Sequence, residues 1–295
     1  MAIRIVVAGE IFIDQVLSGF SAWPQPGEEA FATSLVRELG GGAAHTAAGL
    51  ARLGWDVALA GPFGGAEGVW IQDRLAHLGL GADYLQEAVG ECTGTTVAIS
   101  SPHERTFFTY AGANKLIAAT LLKLPTGGHL HLACPCEAAT LRNLAAQFAT
   151  VSLDAGWHPD WLRDPELLEA LALVSWFLPN EREAACLTGE SSPEAMLHRM
   201  HERGIRAAIK LGPQGSALRT AEGAMLMVPS ITVQPIDTTG AGDNFNAGFL
   251  DAWLSGKSLE ECLHSGNILG ALSTRAMGGM NGFPTKEELQ AWLSR

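Results

Sequence analysis

The strongest constraint on this chain is an alternation of short apolar runs with stretches of helical period. The runs are IRIVVAG (3–9), DVALAG (56–61), GHLHLA (128–133), TVSLD (150–154), VSWFLPN (174–180) and RAAIKLG (206–212). Between them lie stretches such as AAHTAAGLARLG (43–54) and EAATLRNLAAQFA (137–149), several of them ended by glycine in the C-cap position. Parallel strands need crossover connections, and right-handed crossovers place helices on both faces of the sheet. The pattern therefore predicts an α/β fold of three layers around a mostly parallel central sheet. Ligands in such folds bind beyond the carboxyl ends of the strands. Gly9, Asp154, Asn180 and Gly212, each ending a run, are expected on that rim.

Two segments break the rhythm. Residues 14–38 and 93–110 alternate like half-exposed strands with no helix between them. They are assigned to a small lid of antiparallel strands folded over the rim. No repeat and no Pro-, Gly- or Ser-rich linker divides the chain, so residues 1–295 are expected to form one domain.

Bulk properties exclude whole classes of function. A net charge of −12 argues against nucleic acid or an anionic membrane as partner, so any anionic ligand must be drawn in locally. No apolar stretch is long enough to span a bilayer; ALALVSWFL (170–178) falls far short. The opening MAIRIVVAGEIFID is cut by Gly9 and Glu10 before it can resemble a signal peptide. Five cysteines without a CxxC pair suit free thiols in a reducing compartment, and a cytoplasmic protein is expected.

The chemistry concentrates in DTTGAGDNFNAGF (237–249). Glycines before a helix let backbone N–H groups converge, and the helix dipole adds positive potential, which together make an anion hole at Gly240, Ala241 and Gly242. Asp243, in the first turn, stands where it can take a proton from a nucleophile attacking the held anion. Equally, it can be a helix cap beside a tight turn. In GGGAAHTAAGLARLG (40–54), Gly41 and Gly42 open an alanine-rich helix and permit close approach of a ligand, or simply close packing on the sheet. Asn180 and Glu183 have capping-box spacing, which explains the pair without a ligand, although Glu183 is also a water-mediated magnesium candidate.

Other patterns fail on inspection. GKS (256–258) lacks the glycine five positions earlier that a Walker A loop requires; Asp251 is there instead. HLHLACPC (129–136) puts His129 and His131 on one strand face ahead of two cysteines, but buried neutral histidines account for it better than zinc. There is no nucleophile-elbow pattern.

DTTGAGDNFNAGFL (237–250) and GGGAAHTAAGLARLGWDVALAGPFG (40–64) resemble the two signatures of the ribokinase-like, or PfkB-type, carbohydrate kinases. GEIFID (9–14), LPNEREAACLTG (178–189), IKLGPQGS (209–216) and GNILGALSTRAMGGMNGFPT (266–285) follow in the family's order. The resemblance implies a ribokinase-like fold and ATP-dependent phosphorylation of a hydroxyl on a monosaccharide or sugar derivative. It implies that Asp243 is the base and that the Gly240–Gly242 amides hold the transferred phosphoryl. It further implies nucleotide contacts at Asn180, Lys210, Gly212, Gly215 and Asn267, Mg²⁺ at Glu183, and a monovalent cation, K⁺, near Asp237. Asp14, Gly41 and Gly42 match positions that hold substrate hydroxyls. In this family the lid excludes water and often forms a dimer contact, so a homodimer through the lid is an expectation.

Two departures bear on the substrate. His45 stands where the signature usually has asparagine, and DAGW (154–157) replaces the DxNxR pattern of some fructokinases and sugar-acid kinases. Phe20, Trp23, Phe31 and Phe107 could stack on a base, which keeps a nucleoside kinase as the alternative. Arg105 is the nearest lid cation for an acidic substrate. A non-catalytic sugar-binding protein is the reading from another class, and the retained Asp243 beside an anion hole speaks against it.

Overall fold

The computed structural model describes residues 4–20, 22–100 and 105–294, with backbone only at Ser100 and Arg105. The chain begins β1 (Ile5–Gly9), β2 (Phe12–Ser18), β3 (Ser34–Gly40), α1 (Gly42–Arg52), β4 (Val57–Gly64), α2 (Gly68–Leu78) and β5 (Gly81–Ala88). Next come β6 (Gly94–Ser100), β7 (Arg105–Tyr110), α3 (Ile117–Leu121), β8 (His129–Ala133), α4 (Ala138–Gln147) and β9 (Thr150–Leu153). They are followed by α5 (Pro159–Leu162), α6 (Pro165–Leu171), β10 (Trp176–Phe177), α7 (Glu181–Thr188) and α8 (Pro193–Glu202). After β11 (Ala208–Lys210), β12 (Ser216–Arg219) and β13 (Met225–Val228), the chain ends in α9 (Ala241–Leu254), α10 (Leu259–Ser273) and α11 (Lys286–Leu293).

A six-stranded sheet in the order β10-β9-β8-β1-β4-β5 forms the middle layer, and every pairing in it is parallel. Side chains alternate across it. Ile5 and Val7 of β1 pack with α1, α9 and α10, whereas Val6 and Ala8 pack with α4, α6 and α8 on the other face. Burial on both faces is why these strands read as continuous apolar runs. The predicted three-layer α/β/α architecture is present.

The run 206–212 behaves differently from expectation. Its strand β11 belongs to an antiparallel sheet β11-β12-β13, tied to the main sheet by isolated parallel bridges Phe177↔Ala207 and Asn180↔Lys210. Strands β5, β12 and β13 escape the apolar-run reading for different reasons: β5 is partly buried and interrupted by polar residues, β12 is four residues long and bounded by Ser216 and Arg219, and β13 is a partly buried strand of only four residues.

The lid is a four-stranded sheet, β3-β2-β6-β7, and it is mixed. Strands β2–β3 and β6–β7 pair antiparallel, but β2 and β6 pair parallel, which corrects the antiparallel expectation. Both β2 and β6 leave the central sheet from the carboxyl ends of parallel strands, β1 and β5, and so run in the same sense.

His129 and His131 are buried core residues, and no metal-holding cluster occurs among the described residues. His129 bonds Thr150 and Ser152 through its two ring nitrogens at 2.9 and 3.0 Å, and His131 Nδ1 bonds Ser152 at 2.8 Å. Burial, reinforced by the neighbouring His131, lowers the His129 pKa to about 3; burial also lowers that of His131, to about 4. The unfolded chain therefore binds more protons than the folded one below about pH 6.5. The stability they support is complete above that pH and is lost as pH falls towards 4 and 3. Each histidine should cost about 2 kcal/mol between pH 6.5 and 5. Urea unfolding at the two pH values should show roughly half the pH dependence in His129→Gln; an unchanged difference would mean other groups set the acid limb.

Candidate active site

The rim at the carboxyl ends of β1, β8, β9 and β10 is where the sheet order turns, since β1 lies between β4 and β8. Helices α1 and α9 both present their N-termini there. They are packed together closely enough that a Cβ on Gly49 would meet Ala247 at 2.7 Å. Thr46 Oγ1 donates to Asp243 O at 3.1 Å. Sequence positions 46 and 243 thus share one junction.

At that junction Gly240 adopts φ +71°, a left-handed conformation that glycine enters without penalty, and it starts α9. Asn244 holds this turn, its Nδ2 donating to Gly240 O at 2.7 Å and to Gly279 O at 3.4 Å. Gly42, at the head of α1, approaches Asp243 so closely that a Cβ would lie 2.8 Å from Oδ1. On its other side, Asp243 Oδ2 is 3.5 Å from His45 Nδ1. His45 is 5% exposed; burial pulls its pKa down, but the hydrogen bond and charge of Asp243, helped by Asp14 and Asp237, raise it above the usual histidine value.

Three cavities meet around this helix end. A cavity of about 390 Å³ is walled by Lys210, Gly212, Gly215, Val233, Phe245 and Asn267, among others. A more open chamber of about 510 Å³ includes Gly42, Asn180, Glu183, Lys210, Gly240 and Asp243. The two share Lys210, Gly212, Thr238, Ala241 and Gly242. On the far side of Asp243, Asp14, His45, Phe107, Asp237 and Gly279 line a tight pocket of about 20 Å³ beneath the lid.

Several expected residues do more structural work than their roles suggest. Asn180 and Glu183 form the complete capping box of α7, with Asn180 N donating to Glu183 Oε2 at 2.8 Å and Glu183 N to Asn180 Oδ1 at 2.9 Å. Yet Glu183 also faces the chamber. Burial, together with Asp154's charge and against the pull of Lys210, raises its pKa to about 7. Asn267 donates its amide to the carbonyls of Val228 (2.9 Å) and Pro229 (3.3 Å), so it pins the cavity wall. Asp237 accepts backbone N–H bonds from Thr239 (2.8 Å) and Gly278 (2.7 Å), tying two loops together.

Other expected residues are not gathered in. Trp23 and Phe31 are 52% and 77% exposed and line none of these cavities; Phe107 alone of the four lid aromatics lines the Asp14 pocket. The Arg105 side chain lies outside the described residues.

Sequence reasoning missed three side chains. Asp154, buried at the end of β9, accepts hydrogen bonds through Oδ2 from the Lys210 ammonium and from Asn246 Nδ2 (2.6 Å). Asn246 Oδ1 accepts from Lys210 Nζ at 3.3 Å. Burial pulls the Lys210 pKa down, but Asp154, with Glu183 and Asp243, raises it above the lysine value. Glu10, which also lines the chamber, has its pKa raised by burial. Asn246 lies three residues after Asp243 on one helix face, a spacing the sequence does show. Asp154 is visible only as a rim residue, because its partner is 56 positions away.

Comparison with known proteins gives the family. Residues 2–286 match the pfkB family carbohydrate kinases. The 2-dehydro-3-deoxygluconokinase of Bacillus subtilis is 27% identical over 87% of this chain and 86% of its own length. The ribokinase of Haemophilus influenzae is 27% identical over 98% of each chain. Among solved structures, Arabidopsis thaliana ribokinase complexed with ribose and ATP superposes with a TM-score of 0.83 at 26% identity, over the full length of both chains. The chain belongs to the PfkB family of carbohydrate kinases and is an ATP-dependent sugar kinase.

Proposed function

We propose that this protein transfers the γ-phosphoryl group of ATP to a hydroxyl of a monosaccharide or sugar derivative, with Asp243 as general base. The observation that carries this reading is the position of Asp243. One carboxylate stands between the α9 N-terminus, which opens on the larger cavities, and the lid-covered pocket holding Asp14 and His45. In that arrangement Asp243 takes the hydroxyl proton, the freed oxygen attacks the γ-phosphorus, and the bond to the bridging oxygen breaks to release ADP. The Gly240, Ala241 and Gly242 amides stabilise the negative charge that the phosphoryl group carries in transit.

The remaining roles follow from place and chemistry. Asp14, with two acceptor oxygens, would receive adjacent hydroxyls, while Gly41 and Gly42 let a sugar approach the head of α1. Lys210, Gly212, Gly215 and Asn267 would border the nucleotide, with Asn180 at its phosphates. Glu183 fits a hydrated magnesium ion: each carboxylate oxygen accepts one bond from Asn180 and retains a lone pair, and the chamber has room. When bound there, magnesium would neutralise phosphate charge. The buried charge of Asp237 suits a nearby monovalent cation, so faster turnover in K⁺ than in Na⁺ would support that site.

The pocket around Asp14 has room for about one water, so a sugar enters only when the lid lifts. On re-closing, the lid would exclude water from the phosphoryl group. Residues 1–295 act on this reading as one kinase domain with a lid at about 14–38 and 93–110. The lid's outer face, with exposed Leu35, Phe108 and Tyr110, is the proposed homodimer contact. Five free cysteines support a cytoplasmic setting, and among the described residues no helix is long and apolar enough to cross a membrane.

Phe107 in the Asp14 pocket supports a second reading, a nucleoside kinase in which this ring stacks on the base. ADP release with MgATP and K⁺ across pentoses, hexoses, sugar acids and nucleosides separates the two. Turnover on a sugar or sugar acid supports the first reading, and turnover on nucleosides alone the second. Protein that binds ATP yet is silent across the panel would count against both.

A further inference from the structure

Lys210 is held in an unusual way for a lysine at the edge of a nucleotide cavity. Its ammonium is drawn back against the N-terminal turns of α9 by two buried partners from separate elements, Asp154 after β9 and Asn246 within α9. Asp154 and Asn246 bond each other as well, which closes a triangle of hydrogen bonds. A Cβ placed on Gly242 would stand 3.5 Å from Lys210 Nζ, so the ammonium lies beside the amides that open α9. Lys210 also lines both the nucleotide-sized cavity and the Asp243 chamber.

An ammonium has three protons to donate, and among the described residues Asp154 and Asn246 account for two. We propose that Asp154 and Asn246 are positioning residues that fix the Lys210 ammonium where the phosphoryl group passes from nucleotide to acceptor, leaving one N–H for that group. Asp154, whose Oδ2 accepts from Lys210 and whose Oδ1 accepts from Gly156 N, thereby acts on catalysis through the lysine. A lysine stem is flexible and carries a large rotamer entropy. Two buried anchors remove that freedom before substrates arrive, which is the form of preorganisation that stabilises a transition state.

This inference rests on the Asp243 site reading, so Asp243→Asn is run beside its test. The full-length parent, Asp154→Asn, Lys210→Gln and the double variant are assayed with MgATP and the acceptor that turns over fastest in the panel above. Each single change should lower kcat about tenfold or more, with acceptor KM within about threefold. The double variant should be no slower than Lys210→Gln alone, because Asp154 works through the lysine. Single losses that multiply in the double variant would overturn the proposal.

A binding measurement reads the same geometry without turnover. Lys210→Gln and Asp154→Asn should each weaken a β,γ-imido ATP analogue about tenfold more than ADP, which lacks the phosphoryl group the ammonium meets. Equal losses for the two nucleotides would also overturn the proposal. Should Asp154→Asn fail to fold, the cycle of Asn246→Ala with Lys210→Gln asks the same question and is judged the same way. Turnover retained in Asp243→Asn sinks the site reading; an inactive Asp243→Asn beside a multiplicative cycle sinks this inference alone.

Discussion

Asp243→Asn is expected to bind ATP as the parent does and to turn over about 10²–10⁴-fold more slowly, the range for loss of a positioned general base. The substitution keeps the shape of the side chain and the hydrogen bond that Asp243 O receives from Thr46, which involves only backbone on the Asp243 side. It removes the proton acceptor and the charge that faces His45. Asp243 does not line the nucleotide cavity walled by Ala241, Gly242 and Phe245, so affinity for ATP should be preserved. Steady-state kcat and calorimetric ATP affinity, measured on one preparation, decide the matter. Turnover within about threefold of the parent would remove Asp243 from the chemistry and return it to the role of helix cap.

Gly279→Ala should also damage sugar phosphorylation, although residue 279 carries no reacting group. A Cβ there collides with His45 Nε2 and lies 2.8 Å from its Cδ2, inside a pocket with room for about one water. The imidazole must shift, and its shift disturbs both Asp243 and the Asp14 pocket. Overpacking of this kind costs about 1–3 kcal/mol, or roughly 5–150-fold in kcat/KM for the acceptor. ATP affinity should change little. The sharper expectation concerns the double variant: His45→Asn shortens the side chain, relieves the collision and should restore most of the lost kcat/KM on whichever acceptor His45→Asn itself prefers. His45→Asn alone should change the preference among acceptors more than ATP affinity. If Gly279→Ala is harmless, or if His45→Asn fails to rescue it, the imidazole is not what requires glycine at 279.

Most strands of the central sheet were legible because burial on both faces makes a parallel strand largely apolar; IVVAG at 5–9 and VALAGPFG at 57–64 are examples. Partly buried strands such as β5 carry no such signature, and the parallel β2–β6 pairing of the lid leaves no mark in either strand. At the site, the glycines before Asp243 and the Asn180–Glu183 spacing are local patterns with local causes, a helix N-terminus and its cap. Asp154 is different. Nothing beside it in the chain shows that a lysine 56 positions later will neutralise it, or that Asn246, 92 positions away, will share the bond.

A helix N-terminus exposes its first N–H groups whatever surrounds it, so the anion hole at Gly240–Gly242 and the base at its first turn can be read from thirteen consecutive letters, 237–249. The same holds for the alternation that implies the three layers, since side-chain period is a property of each segment. Which charges meet, and how strongly, depends on distances across the fold. His45 near Asp243, Lys210 on Asp154, and Glu183 poised near neutrality all arise where separate elements converge on one rim. Electrostatic interaction depends on separation and burial rather than on order along the chain, and both are set by packing alone.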